Sequence, residues 1–218
     1  MEESNETQVF NAEWDDEGVF VYQAFKDSIT DWALEKQQFG GPDFNPRRMT
    51  WIKPSFAWVL YRSGYARKHH QTRILKIKLS HEAITNILSQ CACGKGGGGH
   101  KGRVQWDPER DMLSGDGKEP NKILQKRAIQ IGMKDELSEF YVQNTISIQD
   151  VTELAHKVQN AHSSKNKEVL ESLVDSLPVE RSYDPSCPKE ALENLGMLPG
   201  EISKQIAQIG KGKHQMAK

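Results

Sequence analysis

The sequence has few cysteines and no long hydrophobic segment. Three cysteines are an odd number, and two of them, Cys91 and Cys93, flank a single residue, so a disulfide scaffold is not predicted. No apolar run reaches the roughly 20 residues that a transmembrane helix needs. The first eight residues, MEESNETQ, are acidic and polar, so we expect no secretory signal peptide. These absences predict a cytoplasmic or nuclear protein that does not associate with membranes.

Three motifs that would indicate a particular chemistry are also missing. The glycine-rich run from Gly94 to Lys101 lacks the G-x-x-x-x-G-K-[ST] order of a phosphate-binding loop. Cys91, Cys93 and His100 do not have the spacing of a zinc module, and no second pair completes four ligands. No G-x-S-x-G nucleophile elbow occurs. The sequence therefore predicts no metal site, and it does not support a P-loop enzyme or a serine hydrolase.

The length and composition are those of one domain with polar extensions. Of the 218 residues 36% are hydrophobic, and the mean hydropathy is −0.70, so part of the chain must lie outside a core. The 29 basic and 30 acidic residues nearly cancel, so no global field attracts nucleic acid or membrane. We expect a flexible lead-in over residues 1–16, a single domain over 17–183 with a glycine-rich insert at 92–102, and a polar, partly disordered tail over 184–218.

Strand and helix patterns alternate along the chain without long regular βα units. Val19–Tyr22 is a short β-branched and aromatic run that predicts a strand. Leu75–Leu79 alternates apolar residues with lysines, so we expect Lys76 and Lys78 to face solvent. Phe56–Tyr61 is apolar almost all round, which predicts a central, buried helix. Together these patterns predict an α+β fold with a small, curved, largely antiparallel sheet and packed helices.

The most informative local feature is a segment, residues 44–81, that contains no Asp or Glu but nine Lys or Arg. Cations suit phosphates and flat rings suit bases, so this combination is typical of a site for a phosphate-plus-ring ligand. A solvated basic face over an aromatic core explains the same pattern equally well. The aromatic residues interleaved with the cations include Trp51, Phe56, Trp58, Tyr61 and Tyr65.

Two shorter motifs supply candidate site residues. Arg47–Phe56 reads RRMTWIKPSF, a strand leading into a helix whose free N–H groups, with Lys53 and Ser55, can bind an anion. Arg103–Asp111 reads RVQWDPERD, and a loop after its strand can hold Glu109 towards a cleft as a base or electrostatic stabiliser. The structural alternatives are a simple helix cap at Ser55 and an Asp-Pro turn with exposed ion pairs.

These segments resemble a known family, domain of unknown function family 4291 (DUF4291), which has no settled activity. The similarity extends from about Val9 to Tyr183, and it is interrupted between Ser89 and Gly102, where the glycine-rich insert lies. The similar segments are VFVYQAF (Val19–Phe25), RRMTWIKPSFAWVLYRSGYARK (Arg47–Lys68), RVQWDPERD (Arg103–Asp111), RAIQIGM (Arg127–Met133), ISIQDVT (Ile146–Thr152) and LPVERSY (Leu177–Tyr183).

A weaker similarity, at the level of the fold, connects the chain with ADP-ribosyltransferases. It implies that Tyr22 and Gln23 occupy the place of the strand Arg or His that holds NAD in those enzymes. It also implies that Trp51, Lys53 and Ser55 lie where those enzymes have a Ser/Thr-rich strand that supports the nicotinamide ribose.

The sequence departs from that pattern in three respects. It has no Arg or His at the first strand position, no Ser-Thr-Ser motif, and no Glu-x-Glu or Gln-x-Glu motif. Gln130 is found on the late strand where such enzymes usually have the catalytic carboxylate, which makes Glu109 the nearest substitute. The similarity supplies the first functional hypothesis, which the residues of the site have to support on their own, because a shared fold does not transfer function.

The first hypothesis is therefore a transferase of the ADP-ribosyltransferase type, which uses NAD as substrate and a nucleic acid or nucleotide as acceptor. Glu109 is its catalytic candidate, expected to stabilise an oxocarbenium-like centre or to activate the acceptor. Rings would stack on Tyr22 and Trp51, cations would hold the phosphates, and Ser55 would bind a ribose. The residues expected to bind the cofactor are Tyr22, Gln23, Arg48, Trp51, Lys53, Ser55 and Arg62.

The second hypothesis is a non-catalytic module that binds RNA or DNA through segment 44–81. Binding dominated by phosphate contacts should weaken steeply with salt, whereas a buried dinucleotide pocket should respond much less. A protein-interaction domain is a third possibility, and the sequence does not indicate its partner or the oligomeric state.

Overall fold

The computed structural model describes residues 8–94, 100–120, 122–164 and 167–197. Within these ranges the chain forms seven α-helices, one 3-10 helix (Val174–Ser176) and nine strands. The helices are α1 (Asp27–Lys36), α2 (Phe56–Ser63), α3 (His81–Ser89), α4 (Asp135–Gln143), α5 (Thr152–Ser164), α6 (Lys167–Leu173) and α7 (Lys189–Asn194). The strands are β1 (Asn11–Ala12), β2 (Gly18–Phe25), β3 (Thr50–Ile52), β4 (Arg73–Ser80), β5 (Cys91–Cys93), β6 (Gly102–Arg110), β7 (Ile123–Met133), β8 (Thr145–Asp150) and β9 (Arg181–Ser182).

The strands form three sheets, where the sequence predicted one. Their orders are β1-β9, β2-β4-β8 and β3-β7-β6-β5, and every pair is antiparallel except β5 with β6. The predicted α+β class and largely antiparallel pairing are confirmed. No helix in the described ranges has both the length and the apolar character needed to cross a membrane.

The two larger sheets meet at a single bridge between Tyr22 of β2 and Lys53, which directly follows β3. The amide of Tyr22 donates to the carbonyl of Lys53 at 2.7 Å, and the amide of Lys53 donates back at 3.2 Å. Because only this pair of backbone hydrogen bonds joins β2 to the residue after β3 in the described chain, the neighbouring residues can line a space between the two sheets.

The helix that begins next to this bridge has the ends that its sequence predicts. Ser55 is the N-cap of α2, and its hydroxyl accepts a hydrogen bond from the amide of Trp58 at 3.4 Å. Gly64 ends the helix in the left-handed conformation with φ of 57°, where glycine is strongly preferred. Six of the eight residues of α2 are buried, which confirms the predicted central helix.

The alternation of β4 is confirmed for its apolar residues, but its lysines do not face open solvent. Lys76 pairs with Glu13 at 2.7 Å, and Lys78 pairs with Asp15 at 2.8 Å and also with Glu17. β4 is the central strand of its sheet, and the segment that contains these three carboxylates covers the second face. Lys78 is only 7% exposed.

Both ends of the described chain contribute to the core, which differs from the expected lead-in and tail. Phe10 and Ala12 are fully buried, and β1 pairs with β9. Beyond residue 184, Leu195 and Met197 are also fully buried, and the indole of Trp106 donates to the carbonyl of Leu195 at 2.7 Å. The parts of the predicted lead-in, insert and tail at residues 1–7, 95–99 and 198–218 lie outside the described residues.

β6 is longer than predicted, and this changes the setting of Glu109. The expected loop after Trp106 is absent, since β6 continues to Arg110 and remains paired with β7. A register shift between Pro108 and Arg110 accommodates the proline, which cannot donate to the ladder. Glu109 therefore lies in a strand, at a bulge, instead of in a flexible loop.

Candidate functional site

A cleft of about 820 Å³ lies beside the bridge between the two larger sheets. The ends of β2 and β3, one side of α2, and Gln105 and Gln130 of the β6–β7 pair form its walls. Its lining combines cations, side-chain amides and aromatic rings with one carboxylate, that of Asp43, which forms an ion pair with Lys26 at 3.1 Å. Five of the seven residues expected to bind a cofactor line it: Gln23, Arg48, Trp51, Lys53 and Arg62.

Tyr22 and Ser55, the other two expected residues, lie outside the lining of this cleft. Tyr22 is fully buried, its hydroxyl donates to Glu13 at 3.0 Å, and its ring packs on Phe56 with centroids 5.1 Å apart. It borders a separate cavity of about 570 Å³. Successive strand residues point to opposite faces, which is why Gln23 lines the cleft and its neighbour Tyr22 does not.

Glu109, the expected catalytic residue, also lies away from the cleft. One of its carboxylate oxygens is buried and has no hydrogen-bond partner among the described residues, and burial raises the pKa of the group. The negative charge of Glu109 contributes to raising the pKa of Glu180. The two acids therefore interact near the start of α2.

Glu180 occupies the helix N-terminus that the sequence predicted as an anion site. Its carboxyl accepts a hydrogen bond from the amide of Phe56 at 2.7 Å. Burial raises the pKa of Glu180 to about 8, although the bonds from Phe56 and Ser55 favour the charged form. An internal carboxyl thus takes the place of the external anion that we expected there.

Lys53 is the most distinctive charged group of the cleft. It is 9% exposed, and its ammonium lies 3.4 Å from the carbonyl oxygen of Trp51 and 5.0 Å from the centroid of the Trp58 ring. Burial, followed by the charge of Arg62, lowers the pKa of Lys53 to about 8, and Asp107 partly opposes this. In the described part of the chain no carboxylate forms an ion pair with it. A buried ammonium in this state favours an anionic ligand.

Two exposed guanidinium groups, those of Arg48 and Arg62, extend the positive charge of Lys53 along the cleft. Neither forms an ion pair within the residues that the structure describes. Planar guanidinium groups can form two parallel hydrogen bonds with a phosphate or carboxylate. The three cations therefore form a site suited to an anion with more than one charge.

Gln23 and Trp51 are held rigidly in the wall of the cleft. The Gln23 amide donates to the carbonyl of Trp51 at 2.8 Å and accepts a hydrogen bond from the Tyr141 hydroxyl at 2.6 Å. The ring of Trp51 packs under the guanidinium of Arg103, 4.8 Å from its centroid. A Cβ added at Gly132 would lie only 2.9 Å from the same ring. Trp51 is therefore packed against protein groups but remains half-buried in the wall of the cleft, whereas Trp58 is only 8% exposed and lies under the Lys53 ammonium.

The sequence analysis did not predict that Gln130 lines the cleft or that Asp107 lies beside it. Gln130 is 7% exposed, and its amide donates to the carboxylate of Asp107. Burial raises the pKa of Asp107, while the charges of Lys53 and Arg127 lower it. Extending the strand alternation through RVQWD would have placed Asp107 on the same face as Gln105. The alternation was not extended to Asp107 because the Asp-Pro pair that it forms with Pro108 favours a turn.

One search of the structure for metal ligands and two comparisons with known proteins concern this site. In the described residues, no group of three or more His, Cys, Asp or Glu side chains could hold a metal ion. A search of curated proteins found no match. The model of one protein family, described as a domain of unknown function, matches residues 9–183. That match covers most of the chain, including every residue of the cleft named above, so the chain belongs to the DUF4291 family.

Proposed function

We propose that the cleft binds NAD or a related dinucleotide and that the chain transfers the ADP-ribosyl group of this ligand. The observation that carries the proposal is the set of three cations, Arg48, Lys53 and Arg62, without ion pairs in the described chain and in one cleft with Trp58. A diphosphate needs the charge, and a heterocyclic ring needs an aromatic face and amide partners. A volume of about 820 Å³ is in the range of ligand pockets.

The reaction breaks one bond and forms one at C1′ of the nicotinamide ribose. The C–N bond to nicotinamide breaks with its electron pair moving to the ring nitrogen, and nicotinamide leaves as a neutral molecule. An acceptor N–H or O–H forms the new bond to C1′ and loses its proton to a base. The ribose carries positive charge at the transition state, so a nearby carboxylate lowers the barrier.

We assign this carboxylate to Asp107 and not to Glu109. Asp107 lies beside the cleft, where its carboxylate accepts a hydrogen bond from Gln130. Its negative charge also raises the pKa of Lys53. Glu109 belongs to the group of acids around Glu180 at the start of α2. The two carboxylates lie two residues apart on β6, which makes them a matched pair for mutation.

The experiment measures NAD binding first and turnover second. NAD at about a hundred times its Kd should stabilise the folded protein by about 2.7 kcal/mol in a thermal melt. Release of nicotinamide from NAD, with transfer of labelled ADP-ribose to an acceptor, then measures the reaction. Asp107→Asn should lower the rate about 100-fold or more, whereas Glu109→Gln should leave it nearly unchanged. No stabilisation by NAD would refute the proposal, and loss of activity in Glu109→Gln alone would refute the assignment of Asp107.

A further inference from the structure

The chain leaves α2 through an unusual turn, residues 64–70, which we call the basic turn. Three of its residues that are not glycine have left-handed backbone angles: Tyr65 with φ of 57°, Ala66 with φ of 63° and His70 with φ of 59°. Residues with side chains adopt this conformation in only a few per cent of cases. Such strain persists where the surrounding structure imposes it, and it is concentrated at functional sites.

Buried contacts hold the basic turn in place. Tyr65 is fully buried, and its hydroxyl lies 2.8 Å from Nδ1 of His162. The hydroxyl of Ser63 accepts a hydrogen bond from the amide of Ala66 at 3.1 Å and donates to the carbonyl of Val59 at 2.7 Å. The turn therefore presents its exposed side chains from a fixed backbone.

Those exposed side chains are two cations and two imidazoles. Arg67, Lys68, His69 and His70 are all exposed, and neither cation forms an ion pair in the part of the chain that the structure describes. The two imidazole rings lie 3.7 Å apart. His70 also lines the cleft, so the turn leads directly into the proposed NAD site.

An aromatic ring lies at the base of the turn, beside the cations. The ring of Tyr61 is half-buried, with the guanidinium of Arg110 3.8 Å from its centroid and the ammonium of Lys68 5.8 Å from it. Arg62, which lines the cleft, follows Tyr61 directly, and its carbonyl accepts a hydrogen bond from Lys68 at 3.0 Å. The cations thus continue from the basic turn to the wall of the cleft.

We propose that a single-stranded nucleic acid binds along the basic turn and serves as the acceptor of the transferase. This inference rests on the proposed function, because the turn leads the strand into the cleft where the ADP-ribosyl group would be transferred. Cations along one edge suit successive phosphates, and exposed imidazoles offer faces on which bases can stack. The net charge of −1 provides no general attraction for polyanions, so the binding depends on this local arrangement.

The nearby carboxylates do not neutralise the turn. Burial, and to a lesser extent the charges of Asp116 and Glu119, raise the pKa of the Tyr65 hydroxyl. Within the described ranges no ion pair joins either carboxylate to Arg67 or Lys68. A duplex would present its phosphates but keep its bases stacked inside, so the imidazoles favour a single strand.

The experiment compares the full chain with a double variant, Arg67→Gln with Lys68→Gln, in binding a fluorescent oligonucleotide of about 12 nucleotides. Both side chains are exposed, so folding should be preserved, as a thermal melt can verify. A control with the same change of charge, Lys36→Gln with Lys189→Gln, alters two exposed lysines on α1 and α7. Oligo(dT) and oligo(U) distinguish DNA from RNA, and a duplex of equal length tests the preference for a single strand.

In the absence of NAD, when Arg62 is available to the strand, three phosphate contacts by Arg62, Arg67 and Lys68 predict a slope of about −2 for log affinity against log salt. Each lost contact reduces the slope by about 0.7. The double variant should therefore bind about tenfold more weakly, with a slope near −0.7, while the control is unchanged. Equal loss in both variants, or equal affinity for the duplex, would overturn the inference.

The thermal shift with NAD separates this inference from the proposed function. The double variant retains Lys53, Arg48 and Arg62, so NAD should stabilise it as much as the unmodified chain. Strand binding that depends on the turn, without any NAD shift, would refute the transferase and retain the turn as a nucleic-acid site. An NAD shift without strand binding would refute the turn as an acceptor site and leave the transferase standing.

Discussion

Replacing Lys53 by methionine is expected to stabilise the protein while it removes ligand binding. Burial and the charge of Arg62 lower the pKa of Lys53 from 10.5 to about 8, whereas the ammonium is hydrated and unperturbed in the unfolded chain. At pH 7 the group is charged in both states, so the folded state bears the whole cost of holding it. The difference between the two pKa values corresponds to about 3 kcal/mol, and methionine fills the same space without a charge.

The pH dependence of this effect has a definite sign. Between pH 8 and 10.5 the folded protein releases the Lys53 proton while the unfolded chain retains it, so the stability of the unmodified protein rises with pH. The advantage of Lys53→Met should be greatest below pH 8 and vanish above about pH 10.5. Other titrating groups are common to both proteins and cancel in the difference.

Urea unfolding followed by tryptophan fluorescence, at pH 7 and at pH 10, measures both effects. Lys78→Met is a matched control, because Lys78 is 7% exposed but ion-paired with Asp15 and Glu17. Hydrogen bonds to these two carboxylates raise the pKa of Lys78, so its loss should destabilise the protein. A Lys53→Met protein that is less stable at pH 7, or whose advantage does not shrink at pH 10, would refute the reasoning. The variant should also lose its stabilisation by NAD.

Two further predictions concern the stability of the fold. Gly132→Ala should destabilise the protein by about 1–3 kcal/mol in urea unfolding, because its Cβ would lie 2.9 Å from the Trp51 ring; an unchanged midpoint would show that the ring can move aside. Glu180→Gln should stabilise the folded protein at pH 8, and this stabilisation should decrease progressively towards pH 4.5. The reason is that the pKa of Glu180 is raised from 4.5 to about 8, so that ionisation of the Glu180 carboxyl opposes folding as pH rises. Thermal melts across this pH range test the second prediction, and a constant difference would contradict it.

Local features of the fold were predictable because short-range physics decides them. The hydroxyl of Ser55 caps the helix that begins at the next residue, and Gly64 ends that helix. The apolar residues of β4 alternate with lysines, and the core buries them as predicted. In contrast, the number of sheets and the length of β6 depend on which strands find partners, and the Asp107-Pro108 pair wrongly suggested a turn.

Membership of the site was only partly predictable, because neighbours in sequence can face opposite sides of a strand. Gln23 lines the cleft and Tyr22 lies behind it, although the two residues are adjacent. Arg48, Lys53 and Arg62 line the cleft as expected, since Arg48 and Lys53 flank β3 and Arg62 lies on the helix that follows. Glu109 does not line the cleft, and for this reason we proposed Asp107, on the same strand, as the carboxylate.

The sequence by itself determined the family, the α+β class and a segment rich in cations and aromatic rings, because each of these depends on residues that are close together in the chain. Only the tertiary structure decided which charges are neutralised and which remain free. Lys78 meets carboxylates 61 or more residues away, and Glu180 reaches the amide of Phe56 across 124 residues. Lys53 is buried with no carboxylate close enough to pair with it in the described chain. The energy and pKa of a charged group depend on its burial and on the charges near it, and folding brings these neighbours together from distant parts of the chain.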